Sequence, residues 1–291
     1  ASSALTVWIE TGAPATVVTG LGFSADTGAS ASDLVTRTAA QTVSGTLSAA
    51  LAEGERVEVS FDGGASWNVA SAATGASAWS LPATLTAGTH TLTARVVNAV
   101  DNAGTPYTRA YTLDNAAPTV TIGSSAAQLK AGESATITFT FSEDPGASFT
   151  WNGSAGDVTV SGGTLGAISG SGLVRTAVFT PDAATNGGTA SITVGAGAFA
   201  DLAGNLNTTG STPSLVFDTL APAAPSAPLL AAASDTGISA ADGITRDVTP
   251  SFAGAAGSVE ANATVRLFDG EGRLIASTTA AGDGSWSATS A

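Results

Sequence analysis

A 104-residue repeat is the feature that most constrains this chain. An acidic residue, two variable positions, Ala and Pro recur as Glu10–Pro14, Asp114–Pro118 and Asp218–Pro222, and successive prolines lie 104 residues apart (118 − 14 and 222 − 118). A segment with apolar residues at alternate positions precedes each passage, which is typical of a half-buried β-strand. Self-similarity at a fixed spacing indicates tandem modules. We therefore expect each module to end in a strand, from which a proline-containing linker leads into the next module.

The repeat divides the 291 residues into four segments. Residues 1–10 are predicted to be the terminal strand of a preceding module. Residues 11–114 form a first complete module (module 1), 115–218 a second (module 2), and 219–291 a third (module 3) that stops about 31 residues early (218 + 104 − 291). Because the sequence contains no Met, we expect the chain to be a piece of a longer array.

Inside the modules the pattern is that of β-strands throughout. β-Branched and aromatic residues alternate in Thr89–Val97, Ala135–Phe141 and Ala190–Val194, as they do in half-buried strands. Two further alternating segments run into Asp62-Gly63-Gly64 and Asp269-Gly270, which predicts hairpins with tight two-residue turns. Modules of this length, with turn signals roughly every 8–12 positions, favour an all-β fold of tandem immunoglobulin-like β-sandwich modules in an elongated array.

Composition excludes several classes of function. The chain has no Cys, so disulfide scaffolds and thiolate metal sites are excluded. Its 9 basic and 23 acidic residues give a net charge of −14, which repels phosphate backbones, so no nucleic-acid partner is expected. No apolar run approaches the roughly 18 residues of a membrane helix, so we expect no membrane insertion. The only imidazole, His90, lies in an alternating strand, which indicates a solvated or cross-strand histidine and no enzyme. Glu53, Glu55 and Glu58 are predicted to form a solvated face.

The modules are of two kinds. Modules 1 and 3 share a motif, present as Asp26-Thr-Gly-Ala-Ser30-Ala-Ser-Asp33 and as Asp235-Thr-Gly-Ile-Ser239-Ala-Ala-Asp242. Module 2 has instead Phe141-Ser-Glu143 and Asp201-Leu-Ala-Gly-Asn205-Leu-Asn207.

These motifs resemble those of a known group. The D-T-G-x-S-x-x-D motif, the F-S-E strand end, the D-x-A-G-N-x-N turn and the D-x-x-A-P linker are similar to the bacterial Ig-like repeats of large surface adhesins, the stalks of biofilm-associated and RTX-type adhesins. The resemblance covers essentially the whole chain. It implies a calcium-stiffened spacer that serves cell adhesion and biofilm formation at the bacterial surface, outside the cell, with neighbouring repeats of the same chain as partners.

Calcium is the ligand that the oxygen-rich motifs predict, since Ca²⁺ binds about six to eight hard oxygens. The shared motif places side-chain oxygens at its first, fifth and eighth positions around a glycine. The candidate ligands are Asp26, Ser30 and Asp33 in module 1, and Asp235, Ser239 and Asp242 in module 3. The alternative is an Asx-turn, in which Asp26 and Asp235 only accept hydrogen bonds from backbone amides.

A second candidate set lies in module 2 and the linkers. Glu143 ends a strand that could face the Asp201 turn. The candidates are Glu143, Asp201, Asn205 and Asn207 in module 2, the partial counterpart Asp101 in module 1, and the linker acids Asp114 and Asp218. A metal bound jointly by a linker carboxylate and the loops of adjoining modules would fix the hinge. A hairpin turn that binds no ion is the alternative.

Two other classes of function stay open. Trp67 and Trp151 follow turn-rich stretches and could be exposed, so the chain could be a carbohydrate-binding accessory region with surface glycans as partners. Trp79 and Trp286 occupy equivalent positions in modules 1 and 3, which indicates that they belong to the cores. A subunit of an S-layer or filament is the other alternative.

Overall fold

The computed structural model describes residues 9–291 except 213, 224, 226 and 240. The chain divides into two compact units. The first extends to Asp182 and resumes over Gly187–Asp218, so it holds modules 1 and 2; the second comprises Ala183–Asn186 and Thr219–Ala291 and holds module 3. The predicted terminal strand over residues 1–10 lies, apart from its last two residues, outside the described part of the chain.

Module 1 is a sandwich of two sheets. Its described strands are β1 Val18–Phe23, β2 Val35–Thr36, β3 Ala40–Leu47, β4 Arg56–Ser60, β5 Asn68–Val69, β6 Ala78–Thr84, β7 Gly88–Val97 and β8 Tyr107–Leu113. One sheet has the order β1-β3-β6 and the other β2-β8-β7-β4-β5. Val43 of β3, Val57 of β4 and Leu92 of β7 are each 0% exposed and belong to one apolar cluster. The core therefore lies between the two sheets.

Module 2 repeats this architecture with its own core. Its described strands are β9 Val120–Ser124, β10 Gln128–Lys130, β11 Ala135–Phe141, β12 Val158–Ser161, β13 Gly163–Leu165, β14 Val174–Pro181, β15 Gly188–Val194, β16 Gly210–Ser211 and β17 Leu215–Asp218. The sheets have the orders β13-β14-β11-β9 and β10-β17-β15-β12, and β16 pairs with β15. Phe139, Phe179 and Ile192 are buried between them.

Module 3 has a smaller core. Its described strands are β18 Leu229–Leu230, β19 Ser251–Gly254, β20 Thr264–Phe268, β21 Leu274–Thr279 and β22 Trp286–Thr289, in sheets β18-β19-β22 and β20-β21. Trp286 lies in the module 3 core and Trp79 in the module 1 core, 5% and 3% exposed. The prediction that both tryptophans are core residues is confirmed.

The all-β prediction of tandem immunoglobulin-like sandwiches is also confirmed. The alternating segment Ala135–Phe141 coincides with β11, and Thr89–Val97 and Ala190–Val194 lie within β7 and β15. His90 of β7 faces Tyr111 of β8 across the sheet, with ring centroids 5.5 Å apart, as predicted for a cross-strand histidine. The described part of the chain contains no helix that could span a membrane.

The two predicted hairpins form, but the prediction of two-residue turns is wrong. Residues 61–67 connect β4 to β5, and residues 269–273 connect β20 to β21. Asp62 organises the first loop, since its carboxylate accepts hydrogen bonds from the Ser60 hydroxyl (2.6 Å) and from the Ser66 amide (2.9 Å) and hydroxyl (2.6 Å). These bonds favour the ionised carboxylate and hold the Asp62 pKa well below its usual range, and the bond from Ser60 has the largest effect. A side chain that satisfies the loop amides permits a wider loop than a tight turn.

The predicted solvated face is wrong for Glu58, which is 8% exposed. Its two carboxylate oxygens lie 2.8 Å from the Arg56 guanidinium and 2.9 Å from that of Arg95. The Arg95 guanidinium stacks 3.8 Å above the half-buried Trp67 ring. Trp151 is also half-buried, and its indole N–H donates to the carbonyl of Leu165. Neither tryptophan that was predicted to be exposed is fully so.

Candidate metal centre

Three carboxylates meet at the linker between modules 1 and 2. Asp114 directly follows β8, Glu143 lies two residues after β11, and Asp201 begins a turn in the segment after β15. One oxygen of each carboxylate lies within 4.8 Å of the oxygens of the other two. The structure thus brings together three of the residues that the sequence predicted as metal ligands. We call them the junction triad.

Asn205 ties the turn of module 2 to the incoming linker. Its side-chain amide donates to the Asp114 carbonyl (2.8 Å) and to Asp201 Oδ2 (2.9 Å), while its backbone N–H donates to Asp201 Oδ1 (2.9 Å). Gly204 adopts φ +89° within this turn, a conformation that glycine takes without steric cost. Asn205 was predicted to be an oxygen ligand, but in the structure it serves as a hydrogen-bond donor that positions two acids of the junction triad.

The junction triad concentrates negative charge. Burial raises the pKa of Glu143, and the neighbouring Asp114 and Asp201 carboxylates raise it further, because each disfavours another negative charge close by. Asp201 is 7% exposed. Within the described residues, no Lys or Arg forms an ion pair with any of the three. Carboxylate oxygens that lack a counterion are the donors that Ca²⁺ prefers, so the residues present fit that ion.

In module 1, an arginine supplies the positive charge at the corresponding turn. Asp101 Oδ1 lies 2.7 Å from the Arg56 guanidinium, and the Asp101 side chain is 79% exposed. Asn102 donates to the Glu10 carbonyl (3.2 Å), as Asn205 does to that of Asp114. The turn therefore holds the preceding linker in the same way, but the predicted ligand Asp101 pairs with Arg56. The role of Asn102 was missed; its position beside the turn acid was the available signal.

The shared motif of modules 1 and 3 forms the same loop twice. Leu34 (φ +65°) donates its backbone N–H to Asp26 Oδ2 at 3.0 Å, and Gly243 (φ +73°) donates to Asp235 Oδ2 at 3.2 Å. Both acids accept from backbone amides, as in the metal-free alternative, but these amides lie eight residues on, so the bonds close the loop and are not those of an Asx-turn. The other oxygen, Oδ1, of both Asp26 and Asp235 is buried without a hydrogen-bond partner. One oxygen of each acid thus holds the loop, and the other makes no hydrogen bond within the protein.

The remaining loop candidates accept hydrogen bonds from nearby amides. The pairs are Asp33 with Val35 N (3.0 Å), Asp242 with Ile244 N (3.1 Å), Ser30 with Ser32 N (3.3 Å) and Ser239 with Ala241 N (3.3 Å). Among the described residues, neither loop gathers three carboxylates as the junction does. Calcium binding by these four residues stays a prediction.

The structure separates two further candidates from the junction triad. Asn207 is 3% exposed; its oxygen accepts from Phe199 N (2.8 Å), and its amide donates to the carbonyls of Gly195 and Thr208. It thereby holds the strand ends around the turn. Asp218 is the last residue of β17 and pairs in register with Lys130 of β10.

Module 1 also contacts the turn of module 2 directly, which the sequence analysis missed. The Thr27 hydroxyl donates to the Ala203 carbonyl at 2.7 Å, and the Arg37 guanidinium donates to the Gly204 carbonyl. A β-carbon at Gly28 would overlap the Leu202 carbonyl oxygen. From the sequence, this motif was predicted to bind calcium or to form an Asx-turn, and no contact between modules was predicted. Glycines in both the motif and the turn were the signal for a close approach of two backbones.

Comparison with protein families accounts for nearly all of the chain. One bacterial Ig-like domain model matches residues 13–115 and 222–291, and a second model of the same description matches residues 114–217. The chain belongs to the bacterial Ig-like domain family. The two models separate the bacterial Ig-like modules as the motifs do, with modules 1 and 3 under one model and module 2 under the other.

Solved structures with likeness to these bacterial Ig-like modules come from several sources. One is the I9–I11 tandem of titin, with 9% identity, coverage of 88% of this chain and 84% of that one, and a TM-score of 0.30. Another is the fibronectin(III)-like modules of Clostridium thermocellum CbhA, with 14% identity, coverage of 69% of this chain and 95% of that one, and a TM-score of 0.30. A third is domains 4 and 5 of the S-layer protein SbsC, with 17% identity, coverage of 70% of this chain and 99% of that one, and a TM-score of 0.27. Among the curated proteins, no relative matches this chain.

Proposed function

We propose that this chain is a spacer region of a bacterial surface adhesin, in which calcium at the linker between modules 1 and 2 holds neighbouring Ig-like modules in a fixed relation. The observation that carries the proposal is the junction triad, in which acids of the linker and of two loops of module 2 lie within 4.8 Å of one another. The extracellular location and the role in cell adhesion and biofilm formation are parts of the same proposal.

Calcium would be bound by Asp114, Glu143 and Asp201, and its two positive charges would offset most of their three negative charges. Asp114 directly follows the last strand of module 1, whereas Glu143 and Asp201 belong to module 2. An ion shared among them would therefore join the modules at the point where the chain passes between them. Asn205 would keep the linker and the turn in place, since it already bonds the Asp114 carbonyl and the Asp201 carboxylate.

Calorimetry of the Glu143→Gln variant tests this proposal. If the site binds with the 10⁻⁴–10⁻³ M affinity common in extracellular modules, about 10 mM calcium stabilises the folded state by about 1.4–2.7 kcal/mol. We expect the melting temperature of the parent chain to rise from EDTA to calcium, and that of Glu143→Gln to rise less. Glu133→Gln is the matched control, because it removes one carboxylate of module 2 that pairs with Lys130 instead.

Equal melting in EDTA and calcium for the parent chain would contradict calcium binding. A calcium effect that Glu143→Gln and Glu133→Gln retain equally would place the ion elsewhere. The surface location is tested separately, by labelling intact cells of the source bacterium with an antibody raised against the chain. Labelling only after cell lysis would contradict it.

A further inference from the structure

We propose that Thr27, Gly28 and Arg37 form a docking face that recognises the Asp201–Asn205 turn and holds module 2 against module 1 without metal. The partner that this face fits is a bacterial Ig-like module of the second kind, which carries an Asp-x-Ala-Gly-Asn turn. This inference goes beyond the proposed function, since it concerns contacts that exist whether or not an ion is bound.

The docking face recognises the backbone of the turn. The Thr27 hydroxyl donates to the Ala203 carbonyl at 2.7 Å, and the Arg37 guanidinium donates to the carbonyl of Gly204. A hydrogen bond from a charged donor is stronger than one between neutral groups. Because both acceptors are carbonyls of consecutive residues, the face selects a turn of this shape.

Two facing glycines make the approach close enough for these bonds. A β-carbon at Gly28 (φ +99°) would overlap the Leu202 carbonyl oxygen. One at Gly204 would lie 3.0 Å from the backbone nitrogen of Gly28 and 3.2 Å from its α-carbon. The contact thus requires small residues on both sides, which explains why the face fits a turn with glycine at its fourth position.

Hydrogen bonds inside module 1 organise the docking face before any partner binds. The Arg37 backbone N–H donates to the Thr27 hydroxyl oxygen at 2.9 Å, and the Thr36 hydroxyl donates to the Ala25 carbonyl at 2.7 Å. Thr27 and Arg37 are therefore fixed relative to each other, so less side-chain freedom is lost on docking.

Module 3 repeats this internal arrangement, and each equivalent residue lies 209 positions further along the chain. The Arg246 backbone N–H donates to the Thr236 hydroxyl oxygen at 3.0 Å, and the Thr245 hydroxyl donates to the Ser234 carbonyl. Gly237 follows Thr236, as Gly28 follows Thr27. We infer that module 3 carries the same face for a module of the second kind, and its residues supply matched controls.

Spin-label distance measurements in EDTA test the proposal on the full chain. The sequence has no Cys, so Val69→Cys in module 1 and Val178→Cys in module 2, at positions 60% and 52% exposed, take one label each. We expect a narrow distance distribution in the parent. Neighbouring domains move unless an interface holds them, so Thr27→Val with Arg37→Ala should widen the distribution about twofold or more.

The control pair Thr236→Val with Arg246→Ala removes the corresponding side chains and the hydrogen bond between the Arg246 backbone N–H and the Thr236 hydroxyl in module 3, and should leave the distribution narrow. Gly204→Ala, checked for folding by circular dichroism, should widen the distance distribution as Thr27→Val with Arg37→Ala does. A parent distribution that is already broad in EDTA would overturn the proposal, as would a Thr27→Val, Arg37→Ala distribution as narrow as the control. Because chelator is present throughout, the outcome is independent of whether the junction triad binds calcium.

Discussion

If calcium binds the junction triad as we propose, Glu143 has opposite effects on the free energy of unfolding with and without the ion. Its carboxyl lies beside the acids Asp114 and Asp201, and both burial and these charges raise its pKa. A metal-free protein is therefore more stable when Glu143 is protonated, whereas calcium requires the ionised form. The ionised Glu143 carboxylate therefore destabilises the metal-free folded state, and either protonation or the proposed cation would offset this.

The pH dependence of stability in EDTA should reveal this cost. The folded pKa of Glu143 lies above its ordinary value of 4.5, so the stability from its protonated form is complete below that value. That stability is lost as the pH rises through the folded pKa. Glu143→Gln should therefore be more stable than the parent at neutral pH in EDTA, and less stable in calcium. Urea unfolding across about pH 4–8 measures the free energy of unfolding of both proteins. A difference in this free energy that is constant with pH would contradict the account.

Glu58 should be needed for the stability of module 1. It is buried between Arg56 and Arg95, and Glu58→Gln would leave two guanidinium groups without their shared counterion. We expect a loss of about 2 kcal/mol in the free energy of unfolding, below the loss for a fully buried pair because both arginines are partly exposed. Glu53 is exposed, so Glu53→Gln should change the free energy of unfolding by less than about 0.5 kcal/mol. Similar values for the two variants in urea titrations would refute this assignment.

A tryptophan packed over a glycine joins neighbouring strands in modules 1 and 3. Gly45 of β3 pairs with Trp79 of β6, and Gly254 of β19 pairs with Trp286 of β22. A β-carbon at Gly45 would come within 2.6 Å of the Trp79 ring. Each indole therefore occupies the space above a residue that has no side chain, and this fixes how the two strands approach each other.

Gly45→Ala should consequently destabilise module 1 by about 1–3 kcal/mol, because the added β-carbon would overlap the Gly20 carbonyl oxygen and the Trp79 indole, and both must move within a packed core. Gly22→Ala is the matched control on β1, where an added β-carbon has no atom within 4 Å. Chemical unfolding followed by tryptophan fluorescence compares the two. Equal stability of both variants would contradict the requirement for glycine at position 45.

Local patterns predicted the strands well and the long-range contacts poorly. Alternation located β11 residue for residue, because the face of each side chain is set by its neighbours in sequence. The lengths of the hairpin loops were predicted wrongly. The hydrogen bonds between Asp62 and Ser66 that stabilise the longer first loop leave no trace in the hydrophobic pattern. Glu143 was predicted to end a strand that could face the Asp201 turn, and the structure brings the two carboxylates together. The pairing of Asp101 with Arg56 and that of Arg37 with Gly204 join residues 45 and 167 positions apart. The local sequence does not identify these partners, although the glycines of the motif and the turn permit a close approach.

Modules 1 and 2 are joined in two chemically different ways. The junction triad brings carboxylates of both modules together around the linker, and the docking face of Thr27, Gly28 and Arg37 bonds the backbone of the adjacent turn. Under our proposals, the first joins the modules only when calcium is bound and the second at all times. Together they would make the stiffness of the junction depend on calcium without making its formation depend on it.

Calcium should therefore compensate for loss of the docking face. With the spin labels at Val69→Cys and Val178→Cys, about 10 mM calcium should narrow the broad distribution of the Thr27→Val, Arg37→Ala variant. Adding Glu143→Gln to that variant should abolish the narrowing, because no cation then joins the modules. Narrowing that survives Glu143→Gln would place the calcium effect outside the junction triad.

A crystal structure of the chain in about 10 mM calcium tests the junction site most directly, since it locates the ion and its ligands. The account predicts a single ion bound by carboxylate oxygens of Asp114, Glu143 and Asp201 at about 2.3–2.6 Å, with backbone carbonyls or water completing six to eight ligands. If the three carboxylates are ordered with no ion between them, or if calcium is bound only in the Asp26 and Asp235 loops, the account is contradicted.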